Sequence, residues 1–358
     1  MTRRVVITGI GAVTTIGLGV DGLREGLRKN LSGIGAVTRF DASGFRSQVA
    51  GEVHGFSSAD FISRKAVKRM DRFSEFAVVS ARMAAEDAGL DPAKVSHAGV
   101  VMGSALGGTA LAEDQHVLFM QNGLKSVNPN LALQVFGAAG SSQIAIELGL
   151  KGPNITNSNS CSSGTIAVGE AFEMIRTGRA DVIFAGGAEA PLSPLTFASF
   201  TLIRAMSSRN DDPAGACRPF DSGRDGFVMG EGSAVMVMES LEHAQTRGAK
   251  VYAEVLGYGL TNDAYHMTSS RDDGECAADA INIAMKQAGI RPEQLGYISA
   301  HGSSTQMNDK NETAAVVLAF GEAGRDIPIS ATKPYHAHPL GATGAIEAAI
   351  CALAIYDG

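Results

Sequence analysis

Short apolar segments alternate with longer amphipathic ones along most of the chain. Residues 180–187 are apolar and follow Gly178, a helix stop signal, so we expect a buried strand there. Residues 64–88 predict one long helix, because apolar and small side chains recur at helical spacing. The positions along its apolar face are Met70, Phe73, Ala77, Ser80 and Ala84. This alternation predicts an α/β fold in which helices cover a mostly parallel sheet.

Three segments of the chain recur, in the same order, further along it. The matching pairs are 7–11 with 255–259, 84–92 with 284–292, and 161–166 with 341–346. Repeats of this kind predict a duplicated α/β unit. We therefore expect two halves, residues 1–250 and residues 251–358. Gly9 and Gly11 lack the third glycine of a dinucleotide-binding fingerprint, so we interpret them as a structural turn.

Composition narrows the class of protein. A chain of 358 residues with 45% hydrophobic content can bury a large core, and its net charge of −7 argues against a nucleic-acid partner. No apolar run reaches the roughly 18 residues that a membrane span needs. The cysteines lack the paired spacing of disulfide frameworks or zinc sites, so we expect a cytoplasmic protein. They are Cys161, Cys217, Cys276 and Cys351.

Cys161 is the first candidate for chemistry. It stands where an extended stretch, 154–160, gives way to a small-residue helical one, 161–171. A helix N-terminus favours the thiolate and can lower a cysteine pKa to roughly 3.5–7.5. The thiolate is a nucleophile suited to acyl transfer. The alternative is that Cys161 is a small, inert, buried hydrophobic residue, as free cysteines often are.

Two histidines follow apolar strands in the second half. His301 comes directly after 297–300, and His338 follows 327–333. α/β sheets place ligands beyond the carboxyl ends of their strands, so both are candidates for the same site as Cys161. Either could instead be a surface or core histidine. A metal pair with His336 is not expected, since alternate residues of an extended chain point in opposite directions.

Several motifs in this order resemble the β-ketoacyl-acyl carrier protein synthases, which belong to the thiolase-like condensing enzymes. The resemblance covers nearly the whole chain and implies a thiolase-like fold with layers in the order α-β-α-β-α. The motifs are Ser-Cys-Ser-Ser-Gly at 160–164, Arg-Pro-Phe-Asp at 218–221, Arg-Asp-Gly-Phe-Val-Met-Gly-Glu-Gly at 224–232, Ala-His-Gly-Ser-Ser-Thr at 300–305, Asn-Asp-Lys-Asn-Glu at 308–312, and Leu-Gly-Ala-Thr-Gly-Ala-Ile-Glu at 340–347, with Lys333 to His338 before the last.

The resemblance implies a decarboxylative condensation of carrier-bound acyl and malonyl groups in fatty acid or polyketide synthesis. Cys161 would take the acyl group, and malonyl would lose carbon dioxide to give a carbanion that attacks the acyl-Cys carbonyl. His301 and His338 would donate N–H groups to the thioester oxygen. No cofactor and no metal are implied. Lys333 joins the catalytic set, and a supporting charged network consists of Asp309, Glu312 and Glu347.

The resemblance also implies substrate and partner sites. Leu106 and Phe200 match positions at the bottom of an acyl tunnel, and Thr305 is expected to contact substrate; plain core roles are the alternative. The partner would be an acidic acyl carrier protein, which needs a basic docking surface. The family implies a homodimer, or a heterodimer with a related subunit. The candidate docking side chains are Lys65, Lys68, Arg69 and Arg72, which could instead form an ordinary solvated helix face.

Two features depart from the family pattern. Ala337 stands before the second histidine, where glycine is usual, and the chain ends at Gly358, before the closing segment that relatives carry. We therefore expect a chain truncated at its C-terminus. Two other functions stay open. A thiolase would normally have a second cysteine near His338, and a non-catalytic subunit of the chain-length-factor kind would normally lack Cys161.

Overall fold

A computed structural model describes residues 2–358, and its strands and helices alternate along the chain as the sequence predicts. The predicted strand at 180–187 is confirmed, with slightly later bounds. The eleven strands are β1 (Val5–Thr14), β2 (Gly17–Leu18), β3 (Ile34–Ala36), β4 (Val49–Gly51), β5 (Gly99–Gly103), β6 (Asn154–Asn157), β7 (Val182–Glu189), β8 (Gly232–Ser240), β9 (Ala253–Val255), β10 (Ile298–Ser299) and β11 (Ile329–Ser330).

The described residues also form thirteen α-helices, several of them a single turn long. They are α1 (Gly19–Arg28), α2 (Arg64–Val67), α3 (Arg72–Asp87), α4 (Thr109–Asn122), α5 (Leu131–Gln134), α6 (Ala139–Leu148), α7 (Ser163–Arg176), α8 (Pro194–Leu202), α9 (Leu241–Thr246), α10 (Glu275–Ala288), α11 (Gln306–Phe320), α12 (Lys333–His336) and α13 (Thr343–Asp357). Two 3₁₀ turns matter for the site, Ser160–Ser162 before α7 and Leu340–Ala342 before α13.

The main sheet has seven strands and mixed direction. Its order is β2-β1-β8-β7-β5-β6, and β9 pairs with β1. β5 runs parallel to β6 and β7, whereas β8 is antiparallel to both β7 and β1. The expectation of a mostly parallel sheet is therefore wrong. β8 begins opposite Glu189, where β7 ends, so after the segment that contains α8 the chain returns along the neighbouring strand in the opposite direction.

Helices cover both faces of this sheet, as alternating side chains of β8 illustrate. Val235 and Val237 pack under α3 and α6, whereas Met236 and Met238 pack under α7 and α13. Beyond that second helical layer lies a small parallel pair, β10 and β11, and α10 packs against α11 beside it. The chain thus has a layered α/β fold in which α7 and α13 form the central helical layer.

The helix predicted over residues 64–88 is interrupted. α2 ends at Val67 and α3 begins at Arg72, with Asp71 as the N-cap of the second helix. The Asp71 side chain accepts a hydrogen bond from the Ser74 N–H at 3.2 Å. Aspartate is strongly preferred at this position because it satisfies an otherwise unpaired N–H group. The apolar periodicity continues across the break, which is why it predicted a single helix.

The turn expected at Gly9 and Gly11 is wrong, because both glycines lie inside β1. The strand has a register shift between Ile7 and Gly9 and continues to Thr14. The glycines allow a helix to approach closely, since a Cβ on Gly11 would lie 2.0 Å from the carbonyl oxygen of Ser80 in α3. In the second half, a Cβ on Gly259 would lie 1.9 Å from the Ala280 oxygen in α10. This parallel supports the proposal of a duplicated unit.

One helix would be apolar and long enough to cross a membrane by length and composition alone. It is the 18-residue window Leu340–Asp357, which contains α13, and 67% of it is buried inside the protein. An apolar stretch of this length was not expected from the sequence. Its packing against α7 and the main sheet is typical of a core helix.

The close contact between β1 and α3 gives a stability prediction. We expect Gly11→Ala to lower the free energy of unfolding by about 3 kcal/mol or more, because the new methyl group overlaps backbone atoms that cannot move independently. Gly35→Ala in β3 is the control, since a Cβ there meets nothing within 4 Å. It should change stability by no more than about 1 kcal/mol. Urea unfolding measures both, and equal effects would contradict the packing argument.

Candidate active site

Cys161 lies in the tight turn between β6 and α7. The sequence placed it at the first residue of a helix, but Ser160–Ser162 is a 3₁₀ turn and α7 begins at Ser163. Ser160 adopts a φ of +51°, a left-handed conformation that is uncommon for residues other than glycine. The Ser163 hydroxyl donates to the Ser160 carbonyl at 2.7 Å and holds the turn. The thiol is thereby presented at the N-terminal end of α7.

The turn before α13 repeats this arrangement and touches the first one. Leu340 has a φ of +33°, and the 3₁₀ turn that follows leads into α13. A Cβ on Gly164 would lie 2.7 Å from the Ala345 nitrogen, and one on Gly344 would lie 1.9 Å from the Thr165 hydroxyl oxygen. Only glycine at both positions lets the two helix N-termini come this close.

His338 reaches Cys161 from the segment just before that turn. Its Nε2 lies 3.1 Å from the Cys161 Sγ, and its Nδ1 lies 2.7 Å from the Thr343 hydroxyl. The backbone is fixed as well, because the His338 N–H donates to the Val228 carbonyl at 2.8 Å and the His338 carbonyl accepts from Gly230 at 3.0 Å. The ring is buried. Main-chain and side-chain bonds together fix its orientation.

Ala337, just before this histidine, has a strained backbone. Its φ is +59° and its ψ is −160°, a region that is used almost only by glycine. Its methyl group fits between Gly51 and Gly230, since a Cβ on either of them would lie within 3 Å of it. The departure from the usual glycine is therefore accommodated by two neighbouring glycines.

His301 completes a cluster of three reactive side chains. The Glu312 carboxylate accepts the backbone N–H groups of His301 at 2.6 Å and Gly302 at 2.8 Å. The His301 ring meets the His338 ring edge to face, with 5.3 Å between ring centres. The thiol and one nitrogen of each ring all lie within 4.8 Å of one another. The structure thus brings together the three side chains that the sequence singled out.

Lys333 and Glu347 form a buried ion pair beside His301. The Lys333 ammonium is fully buried and donates to Glu347 at 2.7 Å and to the His301 carbonyl. It also lies 3.4 Å from the His301 Nδ1. Burial raises the pKa of Glu347, and Lys333 opposes that rise. Glu347 therefore holds Lys333 in place.

Both histidines are neutral, and their partners constrain the position of the ring protons. Burial, followed by the nearby Lys333 charge, lowers the pKa of His301 and of His338 well below the ordinary value. An ammonium group can only donate, so the His301 Nδ1 accepts and the ring proton resides on Nε2. The Thr343 hydroxyl can donate or accept and suits either tautomer of His338.

The low pKa predicted for Cys161 is wrong. Burial raises its pKa to about 11, Lys333 lowers it, and the charge of Glu189 raises it further. The sulfur packs into an apolar cluster that contains Leu106 and Phe200, and loss of hydration there outweighs the helix N-terminus. The resting thiol is therefore protonated and needs a base when it reacts.

A cavity of about 510 Å³ opens beside this cluster. Cys161, His301 and Glu347 lie on its wall. Leu106 and Phe200 pack in the same apolar cluster as Cys161, and Phe227 bridges Phe200 and His338 by two edge-to-face contacts. The residues expected to set chain length are therefore neighbours of the nucleophile.

Two other predicted residues serve the loop around His301. The Thr305 hydroxyl caps α11 by accepting the Asn308 N–H at 3.2 Å. Asp309 is buried and accepts the N–H groups of Phe220 at 2.8 Å and Ser304 at 3.2 Å. Asp309 thereby ties the His301 loop to the preceding half of the chain. Substrate contact by Thr305 stays a prediction.

The predicted docking surface separates into two parts. Lys65, Lys68 and Arg69 are exposed, and none of the ion pairs among residues 2–358 involves them. Arg72 is different, because it donates to the buried Glu231 at 2.6 Å and 2.8 Å. Its partner, distant in sequence, holds Arg72 against the fold, and a docking role for Arg72 stays a prediction.

Some side chains of the site were missed. Thr343 orients His338. Its place in the repeat 341–346 corresponds to Ser163 in 161–166, so the repeat could have identified it from the sequence.

Burial and Lys333 lower the pKa of His336 to about 3, and its Nε2 lies 2.9 Å from the Thr332 hydroxyl. A thiol and two imidazoles could also hold a metal ion, but the adjacent ammonium opposes a cation there.

Comparisons with known proteins agree with this arrangement. The family model for the N-terminal domain of beta-ketoacyl synthase matches residues 2–244, and the model for its C-terminal domain matches residues 252–358. The 3-oxoacyl-[acyl-carrier-protein] synthase 2 of Staphylococcus aureus (strain COL) is 44% identical over 357 residues, which cover 99% of this chain and 86% of the relative. A protein of the same name from Synechocystis is 43% identical with the same coverage.

Solved structures of ketosynthases are also similar to this fold. The ishigamide ketosynthase/chain length factor has a TM-score of 0.93 at 36% identity, covering 100% of this chain and 87% of that one. A type II polyketide synthase acyl-carrier protein in complex with its ketosynthase, bound to the hexaketide, has a TM-score of 0.89 at 36% identity, covering 99% and 86%. The predicted thiolase-like fold is confirmed. With both family models matched and a relative 44% identical along almost the whole chain, this protein belongs to the beta-ketoacyl synthase family.

Proposed function

We propose that the protein condenses an acyl group on Cys161 with malonyl-acyl carrier protein, releasing carbon dioxide and 3-oxoacyl-acyl carrier protein. The observation that carries the proposal is the contact of 3.1 Å between the Cys161 thiol and His338, with His301 at its side and an apolar cluster adjoining it. A nucleophile, two neutral N–H donors and an apolar acyl site are the parts that this reaction needs.

The first stage is acyl transfer to Cys161. Because the thiol is protonated at rest, His338 Nε2 takes its proton as the sulfur attacks the thioester carbonyl. In that tautomer the His338 Nδ1–H donates to Thr343. The carrier sulfur leaves, and the proton ends on it, which restores neutral His338. The acyl chain would extend past Leu106 and Phe200.

The second stage forms the carbon–carbon bond. The bond between the malonyl carboxylate and its α-carbon breaks, carbon dioxide leaves, and the electron pair forms an enolate whose oxygen accepts the Nε2–H of His301. His338 can donate to the same oxygen from Nε2 in its other tautomer, in which the Thr343 hydroxyl donates to Nδ1. The α-carbon attacks the acyl-Cys carbonyl and the Cys161 thiolate leaves. The thiolate then takes a proton from solvent, because the malonyl carboxylate leaves as carbon dioxide and supplies none. Lys333 contributes by fixing the His301 tautomer, so that Nε2–H is available as a donor.

The partner proposal rests on the exposed basic surface and on what the relatives bind. The relatives are named for acyl-carrier protein substrates, and one solved neighbour is in complex with such a carrier. We define the docking surface as Lys65, Lys68 and Arg69, which suits an acidic partner. Assembly as a homodimer, or with a related subunit as in the ketosynthase/chain length factor neighbour, belongs to the proposal. So does a cytoplasmic location, which suits four free cysteines.

The two other functions fit less well. A chain-length-factor subunit typically lacks the nucleophile, and here the thiol and both histidines share one site. A thiolase typically uses a second cysteine, and the position near the Cys161 sulfur is held by His338. The sequence is similar both to a 3-oxoacyl-[acyl-carrier-protein] synthase and to the ketosynthase of a type II polyketide synthase. Fatty acid synthesis and polyketide synthesis are therefore both candidate pathways.

The role of Cys161 can be tested by replacing it with glutamine. We expect Cys161→Gln to lower condensation at least about a thousandfold, because no acyl-enzyme forms. Malonyl-carrier decarboxylation should persist, because both histidines remain. Product analysis by mass spectrometry measures both reactions. Cys276→Ser, at another free cysteine, is the control and should condense normally. Retained condensation by Cys161→Gln would rule out the mechanism.

The acyl site can be tested at Leu106. Leu106→Phe should shorten the accepted chain, with kcat/KM for the longest accepted acyl group falling about tenfold or more, because overpacking costs about 1–3 kcal/mol. Competition between acyl carriers of different length gives this ratio directly. Leu31→Phe, at an exposed leucine, makes the same chemical change away from the site. An unaltered profile in Leu106→Phe means that this side chain is plain core.

The docking surface can be tested by charge reversal. The triple variant Lys65→Glu, Lys68→Glu and Arg69→Glu should raise KM for carrier-bound substrates about tenfold at low salt, with kcat little changed, because docking precedes chemistry. The difference should shrink as salt screens the charges. The matched control reverses Lys94, Lys125 and Lys151, which are also exposed. An equal rise in KM for the control would remove the argument for this surface.

A further inference from the structure

Glu189, the last residue of β7, is a buried carboxylate that the mechanism above does not use. It is fully buried, and no cation pairs with it among the described residues. Within residues 2–358 its only partners are neutral hydrogen-bond donors. A buried carboxylate without a cation is costly for the fold, so an amide would serve better if filling space were its only role.

The donors come from two separate loops. One carboxylate oxygen, Oε2, accepts the backbone N–H groups of Ala105 at 2.6 Å and Gly341 at 2.9 Å. The other, Oε1, accepts the Leu106 N–H at 3.1 Å and the Ser104 hydroxyl at 3.2 Å. Both oxygens are therefore needed, each accepting two bonds. A glutamine has only one accepting oxygen and cannot make the same set.

Both loops line the acyl site. The first contains Leu106, and the second contains Leu340 and follows His338 directly. Both leucines pack in the apolar cluster that includes Cys161. The loops also touch each other closely, since a Cβ on Gly341 would lie 2.3 Å from the Ala105 nitrogen. This contact is independent of the carboxylate and places its bonds at the junction of the two loops.

We propose that Glu189 is a positioning residue for acyl-chain selection, whose carboxylate ties the Leu106 loop to the Gly341 turn and so sets the shape of the acyl site beside Cys161. This inference rests on the proposed condensation and adds a specificity determinant to it. Glu189 acts through Leu106 and does not touch the reacting atoms.

The substitution Glu189→Gln should affect the two loops differently, because the two carboxylate oxygens accept from different donors. If the amide oxygen takes the place of Oε2, it keeps Ala105 and Gly341, and the NH₂ group then faces Leu106, whose N–H loses its acceptor. The loop with Leu106 is released while the turn after His338 stays. Chain selection should therefore change, and the chemistry of the histidines should not.

The experiment measures the ratio of kcat/KM for a long and a short acyl-carrier substrate in competition. In Glu189→Gln we expect the ratio to change about tenfold, as for one lost hydrogen bond to a charged group. Malonyl-carrier decarboxylation should stay within about twofold of the parent enzyme, as expected where no interaction with the reacting atoms is lost. Glu239→Gln is the control, because Glu239 is an equally buried carboxylate, held by Arg247, His243 and Thr8. It should lower thermal stability and leave the ratio unchanged.

The pH dependence of the ratio is a second readout. Burial raises the pKa of Glu189 to about 7, so protonation near that pH removes an acceptor as glutamine does. The ratio in the parent enzyme should drift towards the Glu189→Gln value as pH falls through about 7, and Glu189→Gln should abolish this drift. The elements packed against β7 carry further titratable groups, which are Glu239 on β8, Glu170 and Glu173 on α7, Glu75, Glu86 and Asp87 on α3, and Glu347, Cys351, Tyr356 and Asp357 on α13. The Cys161 thiol is also near enough for the Glu189 charge to raise its pKa. Since the variant keeps all of these groups, a drift that disappears belongs to Glu189.

The outcomes separate this inference from the proposed function. No condensation by the parent enzyme would overturn the proposed function itself. Normal condensation with the same ratio and the same pH drift in folded Glu189→Gln would overturn only the role of Glu189. If that variant does not fold, Ser104→Ala removes the hydroxyl that donates to Glu189 and accepts the Gly107 N–H within the same loop. It should move the ratio in the same direction by about twofold to threefold, since neutral hydrogen bonds contribute less than a charge-assisted pair. An unchanged ratio there also overturns the inference.

Discussion

The contact between the first turns of α7 and α13 is the constraint on which the rest of the site depends. Gly164 and Gly344 lack the side chains that would hold these two helices apart. Each helix is preceded by a 3₁₀ turn with one left-handed residue, so the two N-terminal ends meet at the same point. Cys161 lies on one turn, and His338 stands just before the other. Residues 177 positions apart in the chain can then share a hydrogen bond.

Burial determines the protonation states of the side chains in the site more than any single neighbouring charge does. It keeps both histidines neutral and the Cys161 thiol protonated, while Lys333 is kept in the interior by Glu347 and a backbone carbonyl. Neutral imidazoles can donate N–H groups to a substrate oxygen on which negative charge develops, and their fixed positions reduce the rearrangement that this requires. The helix N-terminus beside the thiol adds to this field, but it does not by itself ionise the sulfur.

The sequence predicted the convergence of Cys161, His301 and His338, because each follows an extended segment and strand ends meet at one edge of a layered α/β fold. It could not predict the state of the thiol, since Leu106 and Phe200, which bury it, come from distant segments. The same limit explains Arg72, whose partner Glu231 is 159 residues away. The apolar spacing predicted one helix that continues through Asp71. The N-cap at Asp71 interrupts the helical hydrogen bonds but leaves that spacing unchanged, so the break was not visible in the sequence pattern. Gly9 and Gly11 suggested a turn, whereas they mark the close approach of a helix that sequence alone does not locate.

Because of the strained backbone at Ala337, the residues allowed at three positions that are distant in sequence depend on one another. Its methyl group occupies the space left by the absent side chains of Gly51 and Gly230. While alanine stays at 337, neither glycine can acquire a side chain without displacing the segment that carries His338. Glycine at 337 would remove the closest contact at both neighbours and leave the His336 carbonyl oxygen, at 3.3 Å from a Cβ on Gly51 and 3.2 Å from one on Gly230. Substitutions at these three places are therefore epistatic, and the order in which they arise decides which sequences are accessible.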